Sequence, residues 1–61
     1  GRTMKVILNN GCDFAVIEME CIPRKGDIIY YNNEDYIVRV VEWCLDGKQH
    51  VNLMLDYIDI L

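Results

Sequence analysis

The sequence predicts an all-β fold, a five-stranded antiparallel meander that curls into a small open barrel. Three observations favour it: turn-forming residues recur at short intervals, the segments between them are rich in β-branched and aromatic residues, and no segment has helical periodicity. A flat sheet would cover apolar residues on one face only, so we expect strong curvature around a shared interior. The alternative is an open sheet that dimerises through its apolar second face.

Turn signals divide the chain into five predicted strands. An Asn-Gly pair at residues 10–11 and an Asp-Gly pair at 46–47 are typical of tight hairpin turns. The Pro-Arg-Lys-Gly-Asp run at 23–27 breaks the chain, and the polar run at 32–35 is a four-residue connection. Residues 56–61 either continue the last strand or form a helical turn, and we favour a short extended end. The predicted strands are residues 4–8, 14–21, 28–31, 36–45 and 50–55.

The second predicted strand alternates between an apolar and a charged face. Odd-numbered residues from Ala15 to Cys21 are apolar, whereas Glu18 and Glu20 lie on the other face. This pattern predicts a half-buried strand whose carboxylates are solvated, rather than an acid–base pair or a cation site.

The fourth and fifth predicted strands differ in how many apolar faces they have. The fourth is apolar on both faces, so we expect it to be central and to bulge near Arg39. The fifth alternates clearly, with apolar side chains on one face. The predicted core is Val6, Leu8, Ile17, Met19, Ile28, Val38, Val41, Val51, Leu53 and Leu55.

Composition indicates one small domain. The chain has 61 residues, of which 52% are hydrophobic, and this is enough for one core but too short for a second domain. We expect residues 1–3 to be an expression-tag remnant and residues 4–61 to form the domain, because a leading Gly is typical of a cleaved tag and Met4 can serve as a native start. No apolar run is long enough to cross a bilayer and no signal-peptide pattern opens the chain, so we expect a cytoplasmic protein.

The cysteine pattern disfavours disulfides and metal binding. Cys12, Cys21 and Cys44 are odd in number, which leaves at least one thiol unpaired within a chain. Structural zinc sites usually contain close Cys pairs, and this sequence has none. We therefore expect small buried or half-buried thiols, with no metal and no cofactor.

Catalysis has little support in the sequence. His50 is the only histidine and serine is absent. The best candidate pair is Cys44 with His50, since the intervening hairpin can place them side by side on paired strands. A barrel of this size offers no deep cleft for a substrate, so we expect that the protein is not an enzyme. The four glycines stand singly, which excludes a phosphate-binding loop.

A motif near the centre of the chain resembles a known class of barrels. Residues 24–29 read Arg-Lys-Gly-Asp-Ile-Ile, and residues 36–43 read Tyr-Ile-Val-Arg-Val-Val-Glu-Trp. This resembles the Gly-Asp-x-hydrophobic and Tyr-x-Val-x-x-Val pattern of small SH3-like barrels, which include KOW domains and many short bacterial and bacteriophage proteins. The match covers a third of the chain and implies an SH3-like fold and a mobile-element or prophage setting. The RNA binding of KOW domains is not implied, because Asn32-Asn33 replaces their second glycine.

The aromatic residues predict a surface for a protein partner. They exceed what a small core holds, and adjacent Tyr30 and Tyr31 must point to opposite faces of a strand. Exposed Tyr and Trp near Arg give a large contact area at low entropic cost. Alternatively, the aromatic rings close the ends of the barrel. The predicted partner-binding residues are Trp43, Tyr30, Tyr31, Tyr57 and Arg39.

The sequence leaves two candidate functions. The first is a non-enzymatic protein-interaction or structural module, which binds a protein partner or forms a homodimer. The second is a small barrel that binds single-stranded nucleic acid, with Tyr30, Tyr31 and Trp43 stacking on bases beside Arg24, Lys25, Arg39 and Lys48. The net charge of −4 disfavours the second function, because it repels phosphate groups.

Overall fold

Five strands and no helix make up the computed structural model, which describes residues 1–58. The strands are β1 (Met4–Asn9), β2 (Phe14–Met19), β3 (Ile28–Tyr31), β4 (Glu34–Cys44) and β5 (His50–Tyr57). They form one sheet in the order β2-β1-β5-β4-β3. The all-β prediction is therefore confirmed. The predicted extended end is correct as far as Tyr57, and residues 59–61 lie outside the described residues.

The prediction of a purely antiparallel meander is wrong. β1 and β5 pair in parallel, while β2 and β3 do not pair and form the two edges of the sheet. The parallel ladder sets Val6 beside Val51 and Leu8 beside Leu53, and each of these side chains is at most 4% exposed. This pairing creates the centre of the core, which explains why it replaces the pairing of β2 with β3 that a meander requires.

Seven side chains are buried on the inner face of the curled sheet, and Ile17, Met19, Ile29 and Val41 are among the residues that pack around them. The buried residues are Val6, Leu8, Tyr36, Val38, Val51, Leu53 and Leu55. Ile28 is 55% exposed, so its place in the predicted core is wrong. Ile29 takes that place because it pairs with buried Tyr36, whereas Ile28 pairs with Ile37 on the other face.

Two local irregularities shape β4. The turn before it contains only Asn32 and Asn33, both with positive φ (54° and 65°), which is the conformation of a type I′ hairpin. The connection between β3 and β4 therefore has two residues rather than the predicted four, and β4 begins at Glu34. The predicted bulge is confirmed by a register shift between Val38 and Val40. It keeps both Val38 and Val41 on the core side of the sheet.

The connection from β2 to β3 is held by a turn that is docked on β4. Asp27 Oδ2 accepts a hydrogen bond from Arg24 N at 2.8 Å. Gly26 N donates to Val38 O at 2.8 Å, and Val38 N donates to Asp27 O at 2.9 Å. The Asp27 side chain therefore stabilises the turn that leads into the edge strand β3.

We expect Asp27→Ala to lower the free energy of unfolding by about 1 kcal/mol, because the Arg24 N–H loses its acceptor. Urea denaturation followed by circular dichroism measures the change. Asp46→Ala is the control, since Asp46 lies in another turn and its side chain makes no hydrogen bond among residues 1–58. Equal effects of the two substitutions would contradict this account of the turn.

Candidate functional site

The outer face of the sheet, opposite the core, carries apolar side chains on all five strands. Phe14 is 72% exposed, and the exposed fractions of Val16, Val40 and Met54 lie between 40% and 51%. Within residues 1–58, no helix or second sheet covers this face. The apolar stripe consists of Ile7, Phe14, Val16, Ile28, Ile37, Val40 and Met54.

The strand registers place these side chains next to one another. One row across four strands is Phe14, Asn9, Met54 and Val40, and the adjacent row is Val16, Ile7, Asn52 and Glu42. Charged residues flank the stripe in pairs of opposite sign. Lys5 lies opposite Glu18, and Arg39 Nε donates to Asp56 Oδ2 at 2.8 Å. Asn9, Asn52 and Glu42 therefore interrupt the stripe, and the ion pair of Arg39 with Asp56 lies at one flank.

One corner of the outer face holds a thiol and an imidazole. Cys44 and His50 are direct register partners on β4 and β5, as the hairpin interpretation predicts. Asn52 Nδ2 donates to Cys44 Sγ at 3.3 Å and to Glu42 Oε1 at 3.0 Å. His50 Nδ1 lies 2.9 Å from Lys48 O. These four side chains, Cys44, His50, Asn52 and Glu42, form the thiol–imidazole corner.

A groove of about 400 Å³ opens at the end of the curled sheet where β5 ends. We call it the mouth groove, and residues of both edge strands line it. At its base the rings of Tyr36 and Tyr57 lie 5.1 Å apart, and Asn10 Nδ2 donates to their hydroxyl oxygens at 3.5 and 3.3 Å. Asp13 and Glu34 give the groove an acidic rim.

Tyr36 and Tyr57 in the mouth groove are electrostatically linked. The neighbouring hydroxyl of Tyr36 is the main reason why the pKa of Tyr57 is raised above 10.0, and partial burial and the charges of Cys12 and Glu34 add to the shift. Because the pKa of the folded state is raised, the interaction stabilises the fold below the ordinary phenol pKa. Its contribution is lost as the pH rises through the folded-state pKa.

We expect Tyr36→Phe to lower the pKa of Tyr57 towards 10.0, because this substitution removes the hydrogen-bonding hydroxyl but keeps the ring. Titration of the tyrosine ring carbons by NMR measures the pKa of each tyrosine separately. Tyr30→Phe is the control, since the Tyr30 hydroxyl donates to Asn33 on a different surface. An unchanged Tyr57 pKa in Tyr36→Phe would exclude the proposed cause.

A second groove, of about 580 Å³, is lined by basic and apolar residues, and we call it the basic groove. Arg24, Lys25 and Arg39 line it together with Trp43, which is 51% exposed. No carboxylate is among its lining residues in the described chain. The groove thus combines positive charge with one large aromatic ring.

The predicted partner-binding residues lie on three separate surfaces. Trp43 and Arg39 line the basic groove, Tyr31 and Tyr57 line the mouth groove, and Tyr30 is on the outer face. They separate because adjacent residues of a strand face opposite ways and because Trp43 and Tyr57 lie near opposite ends of the β4–β5 ladder. The structure therefore does not assemble them into one site.

None of the residues of the apolar stripe is in the predicted partner-binding set. Phe14, Val16 and Met54 are exposed on strands whose alternation is apparent in the sequence. The sequence does contain a signal for this exposed surface. A strand with apolar residues on both faces must expose one of them, since a single-layer sheet can bury only one face.

No family model, curated protein or solved structure matches the chain. Among residues 1–58 there is no helix of the length and hydropathy needed to cross a membrane.

Proposed function

We propose that this protein is a non-enzymatic interaction module that self-associates through the outer face of its sheet. The supporting observation is the apolar stripe, which crosses all five strands and has no cover within residues 1–58. Contiguous exposed apolar surfaces on small proteins mark interaction sites. A single layer of sheet is also an incomplete fold unit, because sheets usually bury their second face against another layer.

A second copy of the chain is the partner that fits this face. Stable interfaces bury about 800 Å² per partner, roughly one sixth of the 4644 Å² accessible surface of this chain, and one face of the sheet can supply that area. Arg39 and Asp56 beside the stripe form an ion pair within the chain, which lowers the repulsion between two copies at that flank despite the net charge of −4. Two such faces pack about 10 Å apart with the strands nearly aligned.

Sedimentation equilibrium over a dilution series tests the proposal. We expect a monomer–dimer equilibrium with a Kd on the order of micromolar that persists at high salt, because apolar contacts are not screened by ions. A monomer at every concentration would contradict the proposal. Dissociation at high salt would contradict the outer face as the interface, since it would indicate charged contacts.

The basic groove supports a second candidate function, the binding of single-stranded nucleic acid. Trp43 can stack on a base while Arg24 and Lys25 contact phosphates. Only Trp43 of the three predicted stacking residues lies in this groove, and the net charge opposes binding. Fluorescence anisotropy with a labelled oligothymidine at low salt tests it, and absence of binding there would exclude it.

The proposed function includes a cytoplasmic location. Cys12, Cys21 and Cys44 are all free thiols, and such thiols persist in reducing compartments. The SH3-like relationship stays a prediction, and the proposed function does not depend on it.

A further inference from the structure

We propose that two copies of this chain bind one zinc ion between them through Cys44 and His50 of each copy. This inference rests on the proposed function, because a single copy supplies two of the four ligands. Within residues 1–58, no three His, Cys, Asp or Glu side chains of one chain are grouped to hold a metal. Two copies together supply the two sulfurs and two nitrogens of a tetrahedral structural zinc site.

The placement of Cys44 and His50 meets the first requirement of such a site. They lie directly opposite each other on β4 and β5, where side chains of register partners are about 4.5–5.5 Å apart at Cβ. Both are half-buried and both lie on the outer face, the surface proposed to meet the second copy. The sequence predicts the two residues as neighbours but disfavours a metal site, since such sites are usually recognised from closer Cys or His spacing.

The contacts of His50 leave one ring nitrogen ready to bind a metal. Lys48 O lies 2.9 Å from Nδ1 and can only accept a hydrogen bond, so Nδ1 is the nitrogen that carries the proton in this contact. In the neutral ring Nε2 is then unprotonated. Histidines that bind metals almost always donate their other N–H to a carbonyl or carboxylate in this way.

The contacts of Cys44 favour the sulfur as a metal ligand. Asn52 Nδ2 donates to Cys44 Sγ at 3.3 Å, and a donated hydrogen bond stabilises the negative charge of a thiolate. The second N–H of the same amide goes to Glu42 Oε1 at 3.0 Å, which fixes the amide orientation. On zinc binding each thiol releases its proton to solvent, and the sulfur donates an electron pair to the metal.

The proposed dimer geometry brings two such corners together. A two-fold axis that runs between the sheets along the β4–β5 ladder places each corner opposite its own copy. The same axis places the Met54 and Val40 pair opposite its own copy, so one symmetry brings together the centre of the stripe and the metal ligands. At a sheet separation of about 10 Å, side chains from both faces reach a shared ion with bonds of about 2.3 Å to sulfur and 2.0–2.1 Å to nitrogen.

Titration of the chelator-treated, reduced protein with Co²⁺ and then Zn²⁺ tests the inference. We expect one metal ion per two chains, the absorption bands of tetrahedral cobalt with thiolate ligands, and displacement of cobalt by zinc. Cys44→Ser and His50→Gln should each abolish these bands, while Cys21→Ser should retain them because Cys21 is an exposed thiol outside the corner. Asn52→Ala should weaken metal binding about 10–100-fold, as expected when a neighbouring hydrogen bond is lost.

Sedimentation equilibrium with zinc and with chelator separates this inference from the proposed function. A tighter dimer in zinc that depends on Cys44 supports both. A dimer that forms in chelator and binds no metal overturns the zinc site but leaves the proposed function standing. Metal bound equally by Cys44→Ser, with circular dichroism showing an intact fold, also overturns the zinc site. A monomer in both conditions overturns both proposals.

Discussion

Leu53→Ala is expected to lower the free energy of unfolding by about 3–4 kcal/mol, the largest single effect on stability in this chain. Leu53 is fully buried on the central strand β5, between its register partners Leu8 on β1 and Val41 on β4. Its truncation leaves a cavity where both halves of the sheet meet. Domains of this size rarely have more than about 3–5 kcal/mol of stability, so most of the variant should be unfolded at room temperature.

Urea and thermal denaturation followed by circular dichroism measure this loss. Leu45→Ala is the matched control, because Leu45 is 62% exposed and its truncation should change stability by less than about 0.5 kcal/mol. Similar losses for the two leucines would show that β5 is not the centre of the core.

Met54→Lys is expected to raise the Kd of the proposed dimer by more than about 100-fold. Met54 lies mid-row in the apolar stripe, so the substitution would bury an unpaired charge between the sheets, at a cost of about 3–5 kcal/mol. The fold itself should be preserved, since Met54 is 40% exposed in the single chain.

Sedimentation equilibrium measures the Kd, and Leu45→Lys is the control for an added charge outside the stripe. A dimer that survives Met54→Lys but not Leu45→Lys would place the interface at the loop between β4 and β5. Loss of the dimer in both variants would indicate a general effect of charge rather than contact through the outer face.

Only the part of the candidate site that lies on a single hairpin could be predicted from the sequence. Cys44 and His50 are close in the chain, so the turn between them is enough to predict that they are neighbours. The apolar stripe draws Val16, Ile7 and Met54 from three strands, and its continuity depends on which strands are adjacent. The predicted partner-binding set required its aromatic residues to lie on one surface. The alternation of side chains along each strand instead places them on different surfaces.

Local errors in the predicted fold have local causes. The assignment of Ile28 to the core depended on where β3 begins relative to its turn, and a shift by one residue exchanges the two faces of a strand. The positive φ angles of Asn32 and Asn33 fix that register through a two-residue turn. A four-residue connection, as predicted, leaves the register of Ile28 and Ile29 undetermined.

The approximate positions of the five strands and the bulge near Arg39 follow from the sequence, because turn residues and side-chain alternation act over a few neighbouring positions. The tertiary structure alone decided that β5 lies parallel to β1, that β2 and β3 are the free edges, and that the outer face is one apolar surface. Val6 and Val51 are 45 residues apart in the chain (51 − 6) and meet only because burying them together completes the core. Such pairings depend on the shared interior rather than on local backbone preference, so the surface that supports the proposed function could be located only in the folded chain.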